Sequence, residues 1–196
     1  MVRSDSEALG PFVQADMPEA CLQHGALVGG KSGPDKELVL VAAEANGRIR
    51  LAHADNNDAG TLKRFADDQI AVTAKVVTDG HAGYNAKSLG ERPHDSVVQT
   101  REERRQADAV QGCHWTISLL KRWLLGTHAG AIGAKHLQAY LDEFAFRHNR
   151  RKTKGVGRIA ARVIEQLVMR PPMTMKMLVN ETVRGRWFAE TQAVPA

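Results

Sequence analysis

Residues 37–54, ELVLVAAEANGRIRLAHA, predict two β-strands joined by a hairpin turn, and this hairpin decides the fold class. The first half is rich in Val and Leu, and the second half alternates apolar and polar residues. Asn46-Gly47 between them favours a tight hairpin turn, because both residues tolerate positive φ angles. An earlier strand is expected around residues 21–28, ending at Gly29-Gly30. Three antiparallel strands are therefore predicted in succession.

Strands and helices alternate after the hairpin. Asn57-Asp58 can cap a helix over residues 59–68, and residues 74–80, AKVVTDG, are a short apolar run typical of a buried strand. The order βββαβαβα predicts an α/β fold, a ribonuclease-H-like mixed sheet flanked by helices. The later elements are a short helix near 84–89, a strand near 96–99, an exposed charged connector at 101–105, and helices over 107–126, 134–148 and 156–169.

The length of 196 residues predicts one substantial core with appended segments. We expect an irregular lead-in over residues 1–20, the ribonuclease-H-like core over 21–170, and a weakly structured tail over 171–196. No run of eighteen apolar residues is present, which predicts no membrane span. The first residues lack the apolar centre of a signal peptide, so we expect a cytoplasmic protein. Its two cysteines form no CxxC pair and are expected to be free thiols.

The net charge of +5 is unevenly distributed. Residues 121–170 contain 11 Lys and Arg against 3 Asp and Glu, whereas residues 1–120 contain 13 against 17. A segment this basic indicates an anionic partner, although a solvated helix face is the alternative. Arginine outnumbers lysine at the end of the helix over 134–148. Because a guanidinium binds phosphate in a bidentate fork, this favours a phosphate backbone.

Asp79 lies at the end of the apolar strand, with Gly80 after it. Two-metal phosphoryl transfer needs carboxylates at strand ends, so Asp79 is a candidate for that chemistry, although Asp-Gly is equally a plain turn. His114 read alone is a helix residue that packs beside its neighbours. Trp115 and Trp123 are eight residues apart, near two helical turns, and are expected to pack rather than to stack on bases.

Three segments carry a family resemblance: VVTDGHAGY at 76–84, HWTISLLKRWLLGTH at 114–128, and HLQAYLDEFAFRHNRR at 136–151. They resemble insertion-sequence transposases of the ISXO type, which belong to the DDE superfamily. The resemblance covers about residues 22–170. It implies a catalytic core that cleaves and transfers DNA strands at transposon ends with Mg²⁺, with double-stranded DNA as partner and a homo-oligomer on DNA. No CxxC pair precedes the core, so the resemblance also implies a transposase truncated before its zinc ribbon.

The family pattern assigns roles to single positions. Its first acid precedes a Gly-Gly-Lys, its second lies in TDG, and its third position lies seven residues before a Lys. The resemblance thus implies that Asp79 is a catalytic metal ligand, that His114 is the catalytic third-position residue, and that Lys121 contacts DNA. Counting back from Gly29-Gly30 places His24 at the first catalytic position, where the family has an acid. The wider set of DNA contacts predicted from charge and resemblance is Lys121, Arg122, Arg147, Asn149, Arg150 and Arg151.

A histidine at the first position predicts impaired catalysis, because a neutral imidazole is a poor ligand for Mg²⁺. The expected loss is on the order of a thousandfold in rate or more. Glu44 and Asp55 are the acids that could substitute. Glu143 is expected to pair with Arg147, one turn away, rather than to bind metal. Two other hypotheses stay open, a non-catalytic DNA-binding remnant of a transposase and an unrelated α/β protein whose basic helix is a solvated face.

Overall fold

The computed structural model describes residues 8–10, 12–16, 19–23, 26–27, 36–44, 47–80, 83–128, 133–168 and 175. The strands are β1 (Phe12–Asp16), β2 (Glu19–Gln23), β3 (Ala26–Leu27), β4 (Lys36–Glu44), β5 (Ile49–Ala54), β6 (Lys75–Thr78) and β7 (His94–Ser96). The helices are α1 (Ala59–Gln69), α2 (Ala86–Leu89), α3 (Arg101–Gln106), α4 (Gln111–His128), α5 (Ala134–Arg150) and α6 (Val156–Val168).

One mixed sheet organises the described residues. β4 pairs antiparallel with β5 on one edge and with β1 on the other, and β1 pairs parallel with β6, which pairs parallel with β7. β2 follows β1 along the same edge of β4, since Asp16 lies opposite Val41 and Glu19 lies opposite Leu38. The predicted ribonuclease-H-like α/β arrangement, with a mixed sheet flanked by helices, is confirmed.

Helices cover both faces of the sheet. One apolar core contains Val13, Leu40 and Phe65 and joins the sheet to α1 and α2. The other contains Val41 and Leu141 and joins the sheet to α4 and α5. This division follows from strand alternation, because successive side chains of β4 point to opposite faces.

The local predictions from sequence hold for most elements. The hairpin is formed by β4 and β5, and Gly47 in its turn has a φ of 83°. The helix capped by Asp58 forms as α1, since the Asp58 side chain accepts from the Thr61 backbone N–H at 2.7 Å. Cys113 is fully buried in the core between the sheet and helices α4 and α5.

Three sequence predictions are corrected. Strand β1 lies inside the stretch 1–20 that was expected to be irregular, and it occupies the centre of the sheet. The strand expected near 96–99 is found at His94–Ser96. The charged connector at 101–105 is helix α3, which begins at a capping box formed by Thr100 and Glu103. No helix within the described ranges is both long enough and apolar enough to span a membrane.

Arg92 connects the ends of α1 and α2 through hydrogen bonds. Its guanidinium is charged, yet the residue is only 6% exposed. Its Nη2 donates to the carbonyls of Ala66 and Ile70 at 3.1 and 2.9 Å. Its Nη1 donates to the Leu89 carbonyl and to the Asp67 carboxylate, each at 3.0 Å. These carbonyls lie at helix ends, where acceptors outnumber backbone donors, so one guanidinium supplies donors to several buried acceptors.

We expect Arg92→Leu to lower the free energy of unfolding by about 3 kcal/mol, because it removes the side-chain donors to the Ile70 carbonyl and to two further buried carbonyls, together with the ion pair to Asp67. The control is Lys63→Leu, which removes only an exposed pair with the same carboxylate (2.6 Å) and should cost about 0.5 kcal/mol. Urea denaturation measures both. Equal losses for the two variants would contradict a special role for Arg92.

Candidate functional site

The carboxyl ends of β1 and β6 lie side by side. The two strands are parallel, and their last pair of opposing residues is Ala15 and Thr78. Asp16 is the residue after Ala15, and Asp79 is the residue after Thr78. Neighbouring strands are about 4.8 Å apart, so the backbones of two aspartates are adjacent at one edge of the sheet.

Both acidic positions fall on the sheet face that α4 covers. Val77 is buried in the core shared with α4 and α5, and position 79 is two residues further along the chain. Gln14 likewise faces α4, because its side-chain Oε1 accepts from the Gly112 backbone N–H at 2.7 Å. Position 16 is two residues after it. Since alternate residues of a strand share a face, positions 16 and 79 lie on the α4 face of the sheet.

Asp79 begins a tight turn at the end of β6, and it is exposed. The carbonyl of Thr78 accepts from the Val97 backbone N–H at 2.9 Å, which extends the pairing of β6 with β7. Gly80 has a φ of 86°, and a Cβ there would lie 2.4 Å from Cγ2 of Val98. A glycine is therefore favoured after Asp79, because this φ strains any other residue and a Cβ would collide with Val98, two residues after the end of β7.

The first turn of α4 carries the second part of the site. His114 Nδ1 lies 2.6 Å from Oδ2 of Asp108, and the two side chains are 32% and 15% exposed. The other oxygen of Asp108 accepts from the Val110 backbone N–H at 3.1 Å. Because Asp108 is held by the backbone, it fixes the orientation of the imidazole ring. Sequence analysis missed Asp108, because it fell inside the helix predicted over residues 107–126, whereas α4 begins only at Gln111.

His114 lies on the flank of α4 that faces away from α5. Trp123 marks the opposite flank, since its ring lies 5.6 Å from the ring of Phe144 in α5. His114 precedes Trp123 by nine residues, about two and a half turns, which places it half a turn away around the helix. Lys121 follows His114 by seven residues and shares its flank. Because α5 packs on β5, the flank with His114 and Lys121 lies on the side of β1 and β6.

Gly112 holds the start of α4 close to the sheet. A Cβ on this glycine would lie 2.6 Å from Oε1 of Gln14 and 3.3 Å from the Cβ of Ala43. The next residue, Cys113, is buried and donates its thiol to the Gln14 carbonyl at 3.2 Å. The position of His114 above the sheet therefore depends on close contact between α4 and β1.

His24, predicted from the family pattern as the first catalytic position, lies outside the described residues, so that assignment stays a prediction. The residues described on either side of it, Gln23 and Ala26, belong to β2 and β3. β2 leads away from Asp16 along β4, and by Cys21 the opposing residue is Lys36 instead of Val41. Five residues of strand span roughly 17 Å. The strand beside β6 is β1, and Asp16 at its end was missed because Met17-Pro18 suggested irregular structure.

The two acids considered as substitutes do not lie at this edge. Glu44 is 4% exposed, accepts from the Gly10 backbone N–H at 3.2 Å, and lies opposite Val13 near the start of β1. Asp55 follows β5 and is exposed. Among the side chains that the structure describes, no group of three or more His, Cys, Asp or Glu is arranged to hold a metal ion.

The basic end of α5 is used largely for internal contacts. Asn149 clamps β5, because its Oδ1 accepts from the Ile49 N–H at 2.8 Å and its Nδ2 donates to the Ile49 carbonyl at 3.1 Å. Arg150 is only 5% exposed, and its guanidinium lies 3.7 Å from the centre of the Phe146 ring. Asn149 and Arg150, both predicted as DNA contacts, therefore have side chains that contact the fold itself, and their contact with DNA stays a prediction.

The remaining predicted DNA contacts differ in exposure. Arg151 is exposed and donates to the Gly47 carbonyl at 2.9 Å, so it also holds the hairpin turn. Arg147 is exposed and pairs with Glu143 at 2.6 Å, and this ion pair was expected. On α4, Arg122 is exposed and Lys121 is half-buried. The exposed cations Arg122, Arg147 and Arg151 are available at the surface.

Comparison with known families gives one match. A family model described as the ISXO2-like transposase domain matches residues 10–149, more than half of the chain. Its first matched residues include β1, and its last lie at the end of α5. Neither curated proteins nor solved structures gave a match.

We expect Asn149→Ala to lower the free energy of unfolding by about 2 kcal/mol, because it leaves the Ile49 N–H without a partner and removes one of the two donors to the Ile49 carbonyl. Arg147→Ala, on the same helix, removes an exposed ion pair and should cost less than about 1 kcal/mol. Thermal and urea denaturation measure the difference. An Asn149 variant of wild-type stability that binds duplex DNA more weakly would instead support the original DNA-contact prediction.

The pKa of His148 is lowered from its ordinary value, first by burial and then by the nearby positive charge of Arg151. The unfolded chain therefore binds more protons than the folded chain below about pH 6.5, so stability should fall as the pH falls through this range. We expect a lower unfolding midpoint at pH 5.5 than at pH 7.5, and a shallower dependence in His148→Gln.

An NMR titration tests the cause of this shift. Arg151→Gln should raise the pKa of His148. Arg147→Gln removes a cation that is paired with Glu143, so this matched control should leave the pKa of His148 much less changed. An unchanged His148 titration in the Arg151 variant would show that this guanidinium is not responsible.

Proposed function

Because the chain belongs to the ISXO2-like transposase domain family of the DDE superfamily, we propose that it cleaves and joins DNA strands at a site formed by Asp16, Asp79 and His114. The observation that carries this proposal is the parallel pairing of β1 with β6, which sets two aspartates at one edge of the sheet. His114 joins them because it lies on the flank of α4 on that side.

The donor set suits a divalent cation. DDE transposases require a divalent metal in general, and we propose Mg²⁺, since carboxylate oxygens at adjacent strand ends are the ligands it prefers. Asp16 and Asp79 are the residues that would hold it. A cation bound there supplies charge stabilisation to the phosphate under attack and activates the attacking oxygen.

The other residues of the site have positioning roles. Asp108 fixes the imidazole of His114 through the 2.6 Å contact at Nδ1, as carboxylates do for functional histidines. Lys121, two turns further along α4, carries its charge on the same flank and is suited to bind the DNA backbone near the reacting phosphate. Gly80 keeps the turn after Asp79 clear of side chains on β7.

With Asp16 as first acid, the reason for expecting impaired catalysis disappears. That expectation came from a histidine at position 24, and the pairing of β1 supports a carboxylate at the first position instead. We therefore propose that the chain retains the acids needed for strand transfer. The competing hypothesis is a non-catalytic DNA-binding remnant, which keeps the exposed cations but has no activity.

DNA is the proposed partner, and the exposed cations supply the attraction to its backbone. If phosphate contacts dominate, the affinity for duplex DNA should fall steeply with salt, because each neutralised phosphate releases counterions. The same salt dependence is expected for an active transposase and for a non-catalytic remnant, so a binding measurement does not distinguish the two hypotheses. An activity measurement distinguishes them.

The decisive experiment is a strand-cleavage and strand-transfer assay on duplexes that carry the ends of the encoding element, with Mg²⁺ or Mn²⁺. We expect Asp16→Asn and Asp79→Asn each to lose on the order of a thousandfold in rate, since each removes a metal ligand. His24→Asn and Asp55→Asn should retain activity. Asp55 is the matched control, because it is an exposed acid that follows another strand of the sheet.

Two outcomes would overturn the assignment. A wild-type chain that is inactive and gains activity with His24→Asp would return the first position to residue 24. A wild-type chain that binds duplex DNA but stays inactive with both metals, and with His24→Asp, would support the remnant. Salt titration of the Asp79→Asn variant checks that binding survives loss of the carboxylate.

A further inference from the structure

Trp115 is a large aromatic residue that the fold leaves in solvent. It is 58% exposed, although it immediately follows His114 on a well-packed helix. The other tryptophan of α4, Trp123, packs between the rings of His128 and Phe144. The sequence-based expectation that both would pack is therefore wrong for Trp115. An indole exposed to this extent contributes little to the core and is a candidate for binding.

The helix that carries Trp115 has positively charged residues and no acid of its own. The exposed residues of α4 recur at helical spacing from Trp115 through Ser118 and Arg122 to Leu125. No Asp or Glu occurs in α4. Lys121 lies beside Arg122, on the flank shared with His114. The indole is therefore the apolar part of a cationic surface, a combination that suits nucleic acid.

The position of Trp115 relates it to the proposed site. Successive residues of a helix are rotated by about 100°, so Trp115 projects from the outer surface of α4 while His114 lies on the flank near β1 and β6. A phosphate held at that flank would place its own base or the next one within reach of the outer surface. Both contacts can then be made by one DNA strand.

We propose that the indole ring of Trp115 stacks on an unpaired nucleobase at the DNA end during strand cleavage. This inference rests on the proposed function. An aromatic ring stacks on every base, so the contact favours unpaired over paired DNA without requiring a particular sequence. Pairing of α4 with α4 of a second copy is disfavoured, since it would bring Arg122 and Lys121 of both copies together.

The test uses Trp115 as its own reporter. In a chain with Trp123→Phe and Trp187→Phe, we expect emission from Trp115 to be quenched when a DNA end with unpaired terminal bases binds, and much less when a fully paired duplex of equal length binds. A 2-aminopurine placed at the terminal position should show the reciprocal change.

Affinity measurements give a second, independent readout. Trp115→Ala should weaken binding to the unpaired end by about 5- to 150-fold, the range measured for loss of one stacked base, and should weaken binding to paired duplex far less. Trp115→Phe should retain most of the affinity. Leu125→Ala, on the same exposed surface and two helical turns beyond Ser118, is the matched control and should change neither affinity.

The outcomes separate this inference from the proposed function. If the wild-type chain cleaves DNA and Trp115→Ala matches it on both substrates, stacking is excluded and the strand-transfer site stands. If the wild-type chain neither binds nor cleaves DNA, both fail. If Trp115→Ala changes the sedimentation of the free chain while DNA affinity is unchanged, Trp115 belongs to a contact between copies and the stacking proposal is overturned.

Discussion

The pairing of β1 between β4 and β6 is the constraint on which the rest of the structure depends. β1 contributes five residues, but it joins the antiparallel half of the sheet to the parallel half. Its buried side chains Val13 and Ala15 belong to the core with α1, and Gln14 binds the start of α4. Without β1, the antiparallel strands β4 and β5 would have no hydrogen-bonded connection to the parallel strands β6 and β7. Asp16 and Asp79 are adjacent only because β1 and β6 pair.

Local sequence pattern predicted the elements that are determined locally. The hairpin of β4 and β5, the cap of α1 and the apolar strand β6 each carry their information within a few residues. β1 does not, because it is short, a proline follows it, and its partners lie more than twenty residues away in the chain. An alternating run ending in Asp16 was the available indication. Recognising it needed knowledge of which strand lies beside β6.

The basic end of α5 shows why charge alone does not identify a binding surface. Asn149, Arg150 and Arg151 read as a phosphate-binding rim, yet they form contacts with Ile49, Phe146 and Gly47. A guanidinium or an amide satisfies backbone carbonyls as readily as it satisfies phosphate oxygens. Composition cannot separate these uses, since both require the same groups at the same spacing. The contacts that each side chain makes in the folded structure separate them.

The contact beneath Gly112 has a consequence for how this protein can change over generations. The imidazole of His114 lies two positions beyond a glycine where a Cβ would meet Oε1 of Gln14 at 2.6 Å and the Cβ of Ala43 at 3.3 Å. A side chain at position 112 would therefore displace Gln14 from the Gly112 N–H and press the start of α4 against Ala43, which would shift the ring without changing any residue of the proposed site. A substitution of Gly112 would therefore impair the proposed site while Asp16 and Asp79 are both still present.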